Sequence, residues 1–215
     1  MKYNYIVIEG NIGAGKTTLS TMIARDFNAK LILEQFADNP FLPKFYSNPE
    51  KYSFPLELSF LAERYHQLND DLKTQDLFKD FTISDYFFMK SLIFSQSTLA
   101  ADEYKLYKKI FNIIHSSLPK PDLYVYLHVN SDNLINNINK RGRSYEQSIS
   151  KKYLETIQKG YFDFFQQHPD YCFLIIDTND IDFVNNKNHY NRITDLILNK
   201  EYPAGINRLF LDDFA

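Results

Sequence analysis

The sequence predicts a three-layer α/β fold: a five-stranded parallel sheet covered by helices on both faces. Three observations predict it. Short apolar runs alternate with longer segments of helical periodicity, the pattern of a sheet built from strand–helix–strand units. The loop Gly10-Asn11-Ile12-Gly13-Ala14-Gly15-Lys16-Thr17 fits G-x-x-x-x-G-K-[ST] and stands between the first apolar run and the first helical one. With 215 residues, 44% of them hydrophobic, the chain is long enough for one sizeable core.

Each element has its own reason. Tyr3–Glu9 reads as a buried strand, since Tyr5-Ile6-Val7-Ile8 is a short apolar run ending at glycine. Lys16–Phe27 is helical, with Leu19, Met22, Ile23 and Phe27 on one side. Leu31–Leu33 is a second strand ending at Glu34, and Asp38-Asn39-Pro40 and Asn48-Pro49 mark turns. Pro55–Lys73 is a long helix striped by Leu58, Leu61, Tyr65, Leu68 and Leu72. Phe81–Ser84 is a third strand ending at Asp85; Phe87–Leu99 and Glu103–Ser117 read as helices. Leu123–Val129 is a strand between Pro121 and Asn130, and Ser131 or Asp132 is placed to cap the helix running to Lys140. Arg141–Gln147 is a polar loop, and Lys151–Gln167 is a helix ended by His168-Pro169. Cys172–Ile176 is the fifth strand, Thr178–Asn188 an irregular loop, and His189–Lys200 the last helix. We therefore expect one domain over 1–200 with a tail over 201–215, whose five apolar residues among its last seven suggest docking.

Composition narrows the classes of partner. A net charge of -3 lacks the basic bias of proteins that track nucleic-acid polymers. No apolar run approaches the roughly 20 residues of a membrane span. The single cysteine, Cys172, allows no disulfide within the chain and reads as a core thiol. A cytoplasmic protein is expected. The five histidines, 66, 115, 128, 168 and 189, show no metal-ligand spacing, and no serine has a nucleophile-elbow context.

The glycine-rich loop carries the chemistry. Its glycines let backbone N–H groups turn inward around phosphate oxygens, and the helix that follows adds a partial positive charge. Gly10, Asn11, Ile12, Gly13, Ala14, Gly15, Lys16, Thr17 and Thr18 are expected to hold ATP. Lys16 would reach the β- and γ-phosphates, and the Thr17 hydroxyl would ligate Mg²⁺. The fold is then of the P-loop NTPase type. The loop alone leaves GTPases, ATPases and small-molecule kinases open.

Further motifs follow in order. Glu34 lies just past a strand's carboxyl end, the functional edge of a parallel sheet. Tyr46-Ser47-Asn48-Pro49-Glu50-Lys51-Tyr52-Ser53-Phe54 leads into a helix carrying Glu57 and Arg64, seven apart, hence on one face and roughly 10 Å apart along the axis. Arg141-Gly142-Arg143-Ser144-Tyr145-Glu146-Gln147 offers two guanidinium forks in a polar loop. With the loop Glu9–Thr17, these segments resemble the deoxynucleoside kinase family, in order, over roughly residues 3–200.

The resemblance implies 5′-phosphorylation of a deoxynucleoside, a purine one by analogy, in an enzyme commonly dimeric through helices. It implies that Glu34 is the general base for the 5′-hydroxyl and that the lid over about 141–148 clamps phosphates through Arg141 and Arg143. Tyr46 and Glu146 would hold the sugar, and Glu57 and Arg64 would address the base. Asp85 would act on Mg²⁺ directly or through water. Three positions depart from the family pattern. Glu57 stands where a glutamine is common, Tyr86 where an arginine follows the acid, and Ser91 where an acidic residue is frequent. Lys90 lies near enough in sequence to supply the missing positive charge.

Two rivals remain at this level. A nucleoside monophosphate kinase would need extra positive charge for its acceptor. The segment Glu34–Arg64 instead sets Lys44, Lys51 and Arg64 against Glu34, Asp38, Glu50, Glu57 and Glu63. A non-catalytic nucleotide-binding module is the other.

Overall fold

A computed structural model describes residues 2–35, 39–74, 76–115 and 117–209. The elements in chain order begin with β1 (Tyr5–Gly10), α1 (Lys16–Asp26), β2 (Lys30–Ile32), α2 (Leu42–Ser47) and α3 (Pro49–Lys73). Next come β3 (Thr82–Ser84), α4 (Lys90–Thr98), α5 (Ala101–His115), β4 (Leu123–His128) and α6 (Ser131–Arg141). A 3-10 turn, Ser144–Glu146, precedes α7 (Lys151–Gln167), β5 (Cys172–Asp177), α8 (Lys187–Asn199) and β6 (Gly205–Leu209).

The strands form one sheet in the order β2-β3-β1-β4-β5-β6, and every pairing is parallel. Among the described residues the expected five strands are thus six. Gly205–Leu209, assigned to the tail, pairs along β5 with Phe173 opposite Ile206 and Ile175 opposite Arg208. The Tyr171 carbonyl starts this pairing by accepting the Gly205 N–H at 2.7 Å. The tail's terminal residues, 210–215, lie outside the described residues, as does Asp38 of the expected turn.

Strand alternation divides the core into two chemically different layers, because successive side chains point to opposite faces. Ile6, Ile8, Val125, Leu127, Leu174 and Ile176 face α1, α6 and α8, where Leu19, Ile23, Leu134, Ile138, Ile193 and Ile197 complete an aliphatic layer. Tyr5, Val7, Tyr124, Tyr126, Phe173 and Ile175 face the other way, into a layer of Phe87, Phe88, Phe111, Tyr161 and Phe165. The aromatic richness of the sequence is therefore concentrated on one face.

Several boundaries differ from expectation. The long helix starts at Pro49, with Pro55 inside it. Asn48 caps it by accepting the Lys51 N–H through Oδ1 at 3.3 Å, and proline at the first helical position needs no N–H partner. The helix expected from Phe87 begins at Lys90. Phe87 precedes it and donates its N–H to Glu9 Oε1 at 2.9 Å. Asn130 caps α6, rather than Ser131 or Asp132, by accepting the Asn133 N–H at 2.8 Å. Cys172 is half-buried at the start of β5 instead of enclosed in the core. Among the described residues no helix is long and apolar enough to cross a membrane.

Candidate active site

The crevice opens outside the carboxyl ends of β1, β2 and β3, beside the point where the chain crosses from β3 over β1 to β4. The loop after β1 is shaped by glycine. Gly13 and Gly15 sit at φ of +84° and +88°. A Cβ on Gly15 would lie 2.9 Å from the Phe183 ring, and one on Gly13 would lie 3.0 Å from the Leu134 carbonyl oxygen. We expect Gly15→Ala to cost about 1–3 kcal/mol of folding stability, from the left-handed backbone and the blocked approach together. Thermal melts with and without nucleotide should show a lower melting temperature and a smaller nucleotide-induced shift.

Asn11, one of the loop residues expected to hold nucleotide, has a different partner. Its buried amide Nδ2 donates to the Leu154 carbonyl at 2.7 Å, and its Oδ1 accepts the Ile12 N–H at 2.9 Å. The side chain pins the loop to α7. Lys16 Nζ donates to the Asn11 carbonyl at 2.9 Å. Burial and then the nearby Lys90 ammonium lower the Lys16 pKa to about 8.

Asp85, just past β3, joins two functional segments. Its Oδ2 accepts the Thr17 hydroxyl, and its Oδ1 accepts the Glu34 N–H at 2.8 Å. Thr17 and Asp85 thus bring two oxygens together beside the phosphate loop. That donor set fits Mg²⁺, which takes hard oxygen ligands and relies on few from the protein. Among the described residues no cluster of three or more His, Cys, Asp or Glu offers an alternative.

Glu34 is gripped by two cations. Arg64 Nε and Nη2 donate to Oε1 at 2.9 and 2.7 Å, and Lys90 Nζ donates to Oε2 at 2.5 Å. Arg64 Nη1 goes on to Ser91 Oγ at 2.9 Å. The Glu34 side chain is 9% exposed and that of Arg64 5%. Burial alone would raise the Glu34 carboxyl, but Lys90 and Arg64 overcome it and hold it down to about 2. Glu34 is therefore ionised. Tyr86, in the position of the expected arginine, turns into the core, where its hydroxyl donates to Gln67 Oε1 at 2.8 Å. Lys90 brings to the site the positive charge that Tyr86 does not. Its sequence signal was the one charge in Phe87-Phe88-Met89-Lys90-Ser91-Leu92-Ile93-Phe94.

The Arg-rich segment forms one cluster. Gly142, at φ +72°, ends α6 and lets the chain double back. Arg141 Nε and Nη2 donate to Glu146 Oε2 at 3.0 and 2.5 Å, and Arg143 Nη1 donates to Oε1 at 3.2 Å. Glu146 is buried, whereas both arginines keep about a third of their side chains exposed.

One cavity is lined by Lys16, Thr17, Glu34, Tyr46, Glu57, Arg64, Asp85, Arg141, Arg143 and Glu146, so it gathers the expected catalytic, sugar, base and metal residues. Lys90, Phe45, Phe60 and Phe94 are also in its wall. A second cavity on the far side of the loop is lined by Gly15, Thr18, Asn133, Lys140 and residues 178–185. The phosphate loop runs between the two, with Gly13 lining both. Gly10 and Asn11 line neither. The second cavity was missed in the sequence, where Thr178–Asn188 showed only polarity. Its form comes from local bonds: Asp182 Oδ1 accepts the Val184 and Asn185 N–H groups at 3.1 and 2.9 Å.

The family model described as "Deoxynucleoside kinase" matches residues 6–201. The chain belongs to the deoxynucleoside kinase family. This kinase is 40% identical over 196 residues to a deoxyguanosine kinase of Bacillus subtilis, covering 88% of this chain and 93% of that one. A deoxyadenosine/deoxycytidine kinase of Bacillus subtilis is 30% identical over 200 residues, covering 91% and 92%. The deoxyadenosine kinase of M. mycoides with bound dATP superposes with a TM-score of 0.78 at 26% identity, covering 90% of this chain and 98% of that one. The kinase is accordingly a phosphotransferase that makes a nucleoside monophosphate.

Proposed function

We propose that this kinase transfers the γ-phosphoryl group of ATP to the 5′-hydroxyl of a purine deoxynucleoside. The observation that carries this reading is the position of Glu34: an ionised carboxylate in the same cavity as the phosphate-loop lysine. The purine preference is supported by the names of the relatives, deoxyguanosine kinase above all.

The reading assigns each residue a role. The donor's phosphates lie along Gly10–Thr18, with its base toward the second cavity. Thr17 and Asp85 hold Mg²⁺, which when bound offsets phosphate charge. Tyr46 and Glu146 hold the sugar, and Glu57 and Arg64 border the base. Glu34 accepts the hydrogen bond of the 5′-hydroxyl. A carboxylate this acidic takes the proton late, as the O–P bond forms and the attacking oxygen loses its basicity; the bond to the departing diphosphate breaks in the same event. Lys16, Lys90, Arg141 and Arg143 stabilise the charge that develops on the transferred group. The reading includes a homodimer in the cytoplasm; α5 supports an interface there, since it exposes Leu106 and Ile113.

Phosphate transfer from ATP to a panel of nucleosides and nucleoside monophosphates tests this. Purine deoxynucleosides are expected to be the best acceptors. Transfer to monophosphates alone would replace the reading with a nucleoside monophosphate kinase. Nucleotide binding without any transfer would point to a regulatory module.

A further inference from the structure

Glu57 stands apart from the other carboxylates that line the cavity. Glu34 and Glu146 are each clasped by two cations, and Asp85 is tied to Thr17 and to the Glu34 backbone. Glu57 is 3% exposed and forms no ion pair among the described residues. Its Oε1 accepts the Thr98 hydroxyl at 2.9 Å, while its Oε2 is buried and has no hydrogen-bond partner among the described residues. A buried, unpartnered polar atom costs about 1–3 kcal/mol. Here it lines the cavity wall beside the Phe60 and Phe94 rings, a setting suited to a flat heterocycle.

Arg64, seven residues on, favours the charged form of Glu57 only through space, because its hydrogen bonds go to Glu34 and Ser91. The groups around Glu57 come from several elements. Arg64 shares its helix, and Glu34 lies past β2. Lys90 and Thr98 are on α4, Tyr107 on α5 and Tyr153 on α7. The Tyr107 hydroxyl is committed to the Glu57 carbonyl at 3.3 Å.

We infer that the carboxylate of Glu57, standing where an amide is common, selects guanine over adenine. The inference rests on the nucleoside-kinase reading of this cavity and deepens it. An ionised carboxylate only accepts hydrogen bonds. The pairing edge of guanine presents two adjacent donors, N1–H and the N2 amine, and Oε2 with the remaining lone pair of Oε1 meets both. The same edge of adenine presents one donor, N6–H, beside an acceptor, N1. Against an ionised Glu57 that acceptor faces another acceptor. A protonated Glu57 offers one donor and one acceptor and fits adenine instead. Burial, opposed first by Arg64, raises the Glu57 carboxyl to about 7. Both forms are thus populated near neutrality, and guanine preference should grow as pH rises and the carboxyl ionises.

The test is calorimetric binding of deoxyguanosine and deoxyadenosine to the full chain, wild type and Glu57→Gln, at about pH 6 and about pH 8. In the wild type the ratio of affinities should shift toward deoxyguanosine by roughly tenfold between those values, since one bidentate base contact is worth about a decade or more. In Glu57→Gln the amide offers a fixed donor and acceptor; the ratio should fall by roughly 10- to 100-fold and lose its pH dependence. Deoxyinosine, which lacks the N2 amine, should bind wild type more weakly than deoxyguanosine. A ratio indifferent to pH in the wild type overturns the inference even if the variant does not fold. Binding of neither nucleoside overturns the nucleoside-kinase reading itself.

Discussion

Glu34→Gln should lower kcat by about 10²- to 10⁴-fold, the range for loss of a general base, while nucleotide still binds at the phosphate loop. Glutamine keeps the shape and an acceptor for Arg64. It cannot take the proton of the 5′-hydroxyl, and its NH₂ group sets a donor against the Lys90 ammonium or the Arg64 fork. Stability should fall as well. Arg64 and Lys90 are both buried and lose their shared counter-charge, and breaking a buried ion pair from one side costs about 3–5 kcal/mol. Turnover, nucleotide affinity and melting temperature should therefore be measured on one preparation. Normal turnover in a destabilised protein would leave Glu34 a purely structural anchor.

Lys90→Met should lower kcat by about 10²-fold or more, the scale for removing one preorganised electrostatic contact, with a smaller change in the nucleoside KM. Lys90 is held against two opposing effects. It is buried, and it opens α4, where the helix dipole disfavours a cation. The Glu34 carboxylate at 2.5 Å offsets both. Methionine fills nearly the same volume and removes only the charge, so Glu34 loses one of its two cations and its pKa moves back toward the ordinary range. Lys90→Arg should recover part of the rate. A rise in KM at unchanged kcat would mean that Lys90 only binds the ground state.

The phosphate loop was legible because its glycine spacing is dictated by local backbone geometry, as the left-handed Gly13 and Gly15 show. The shared face of Glu57 and Arg64 was equally local, fixed by helical period. Through-space partners were not legible. Nothing in the sequence tells that Arg64 turns from Glu57 to Glu34, thirty residues away, or that the Asn11 side chain ties the phosphate loop to α7. Proline misled at α3, because Pro55 resembles a helix start as much as Pro49 does. β6 left no signal because Gly205-Ile206-Asn207-Arg208-Leu209 has too few apolar residues to read as a strand, and it is a strand only beside β5. The six-stranded sheet and the second cavity therefore required tertiary structure.

The position of β6 bears on how the chain fares before it is complete. Every residue proposed for catalysis precedes it, yet without Gly205–Leu209 the whole outer edge of Cys172–Asp177 stands unpaired. That edge reads Cys-Phe-Leu-Ile-Ile-Asp, a short apolar stretch with a single charge and no proline, the composition that adds strands from other molecules. Chains cut short before Gly205 would hold the full set of active-site side chains and be lost to self-association instead of to faulty chemistry.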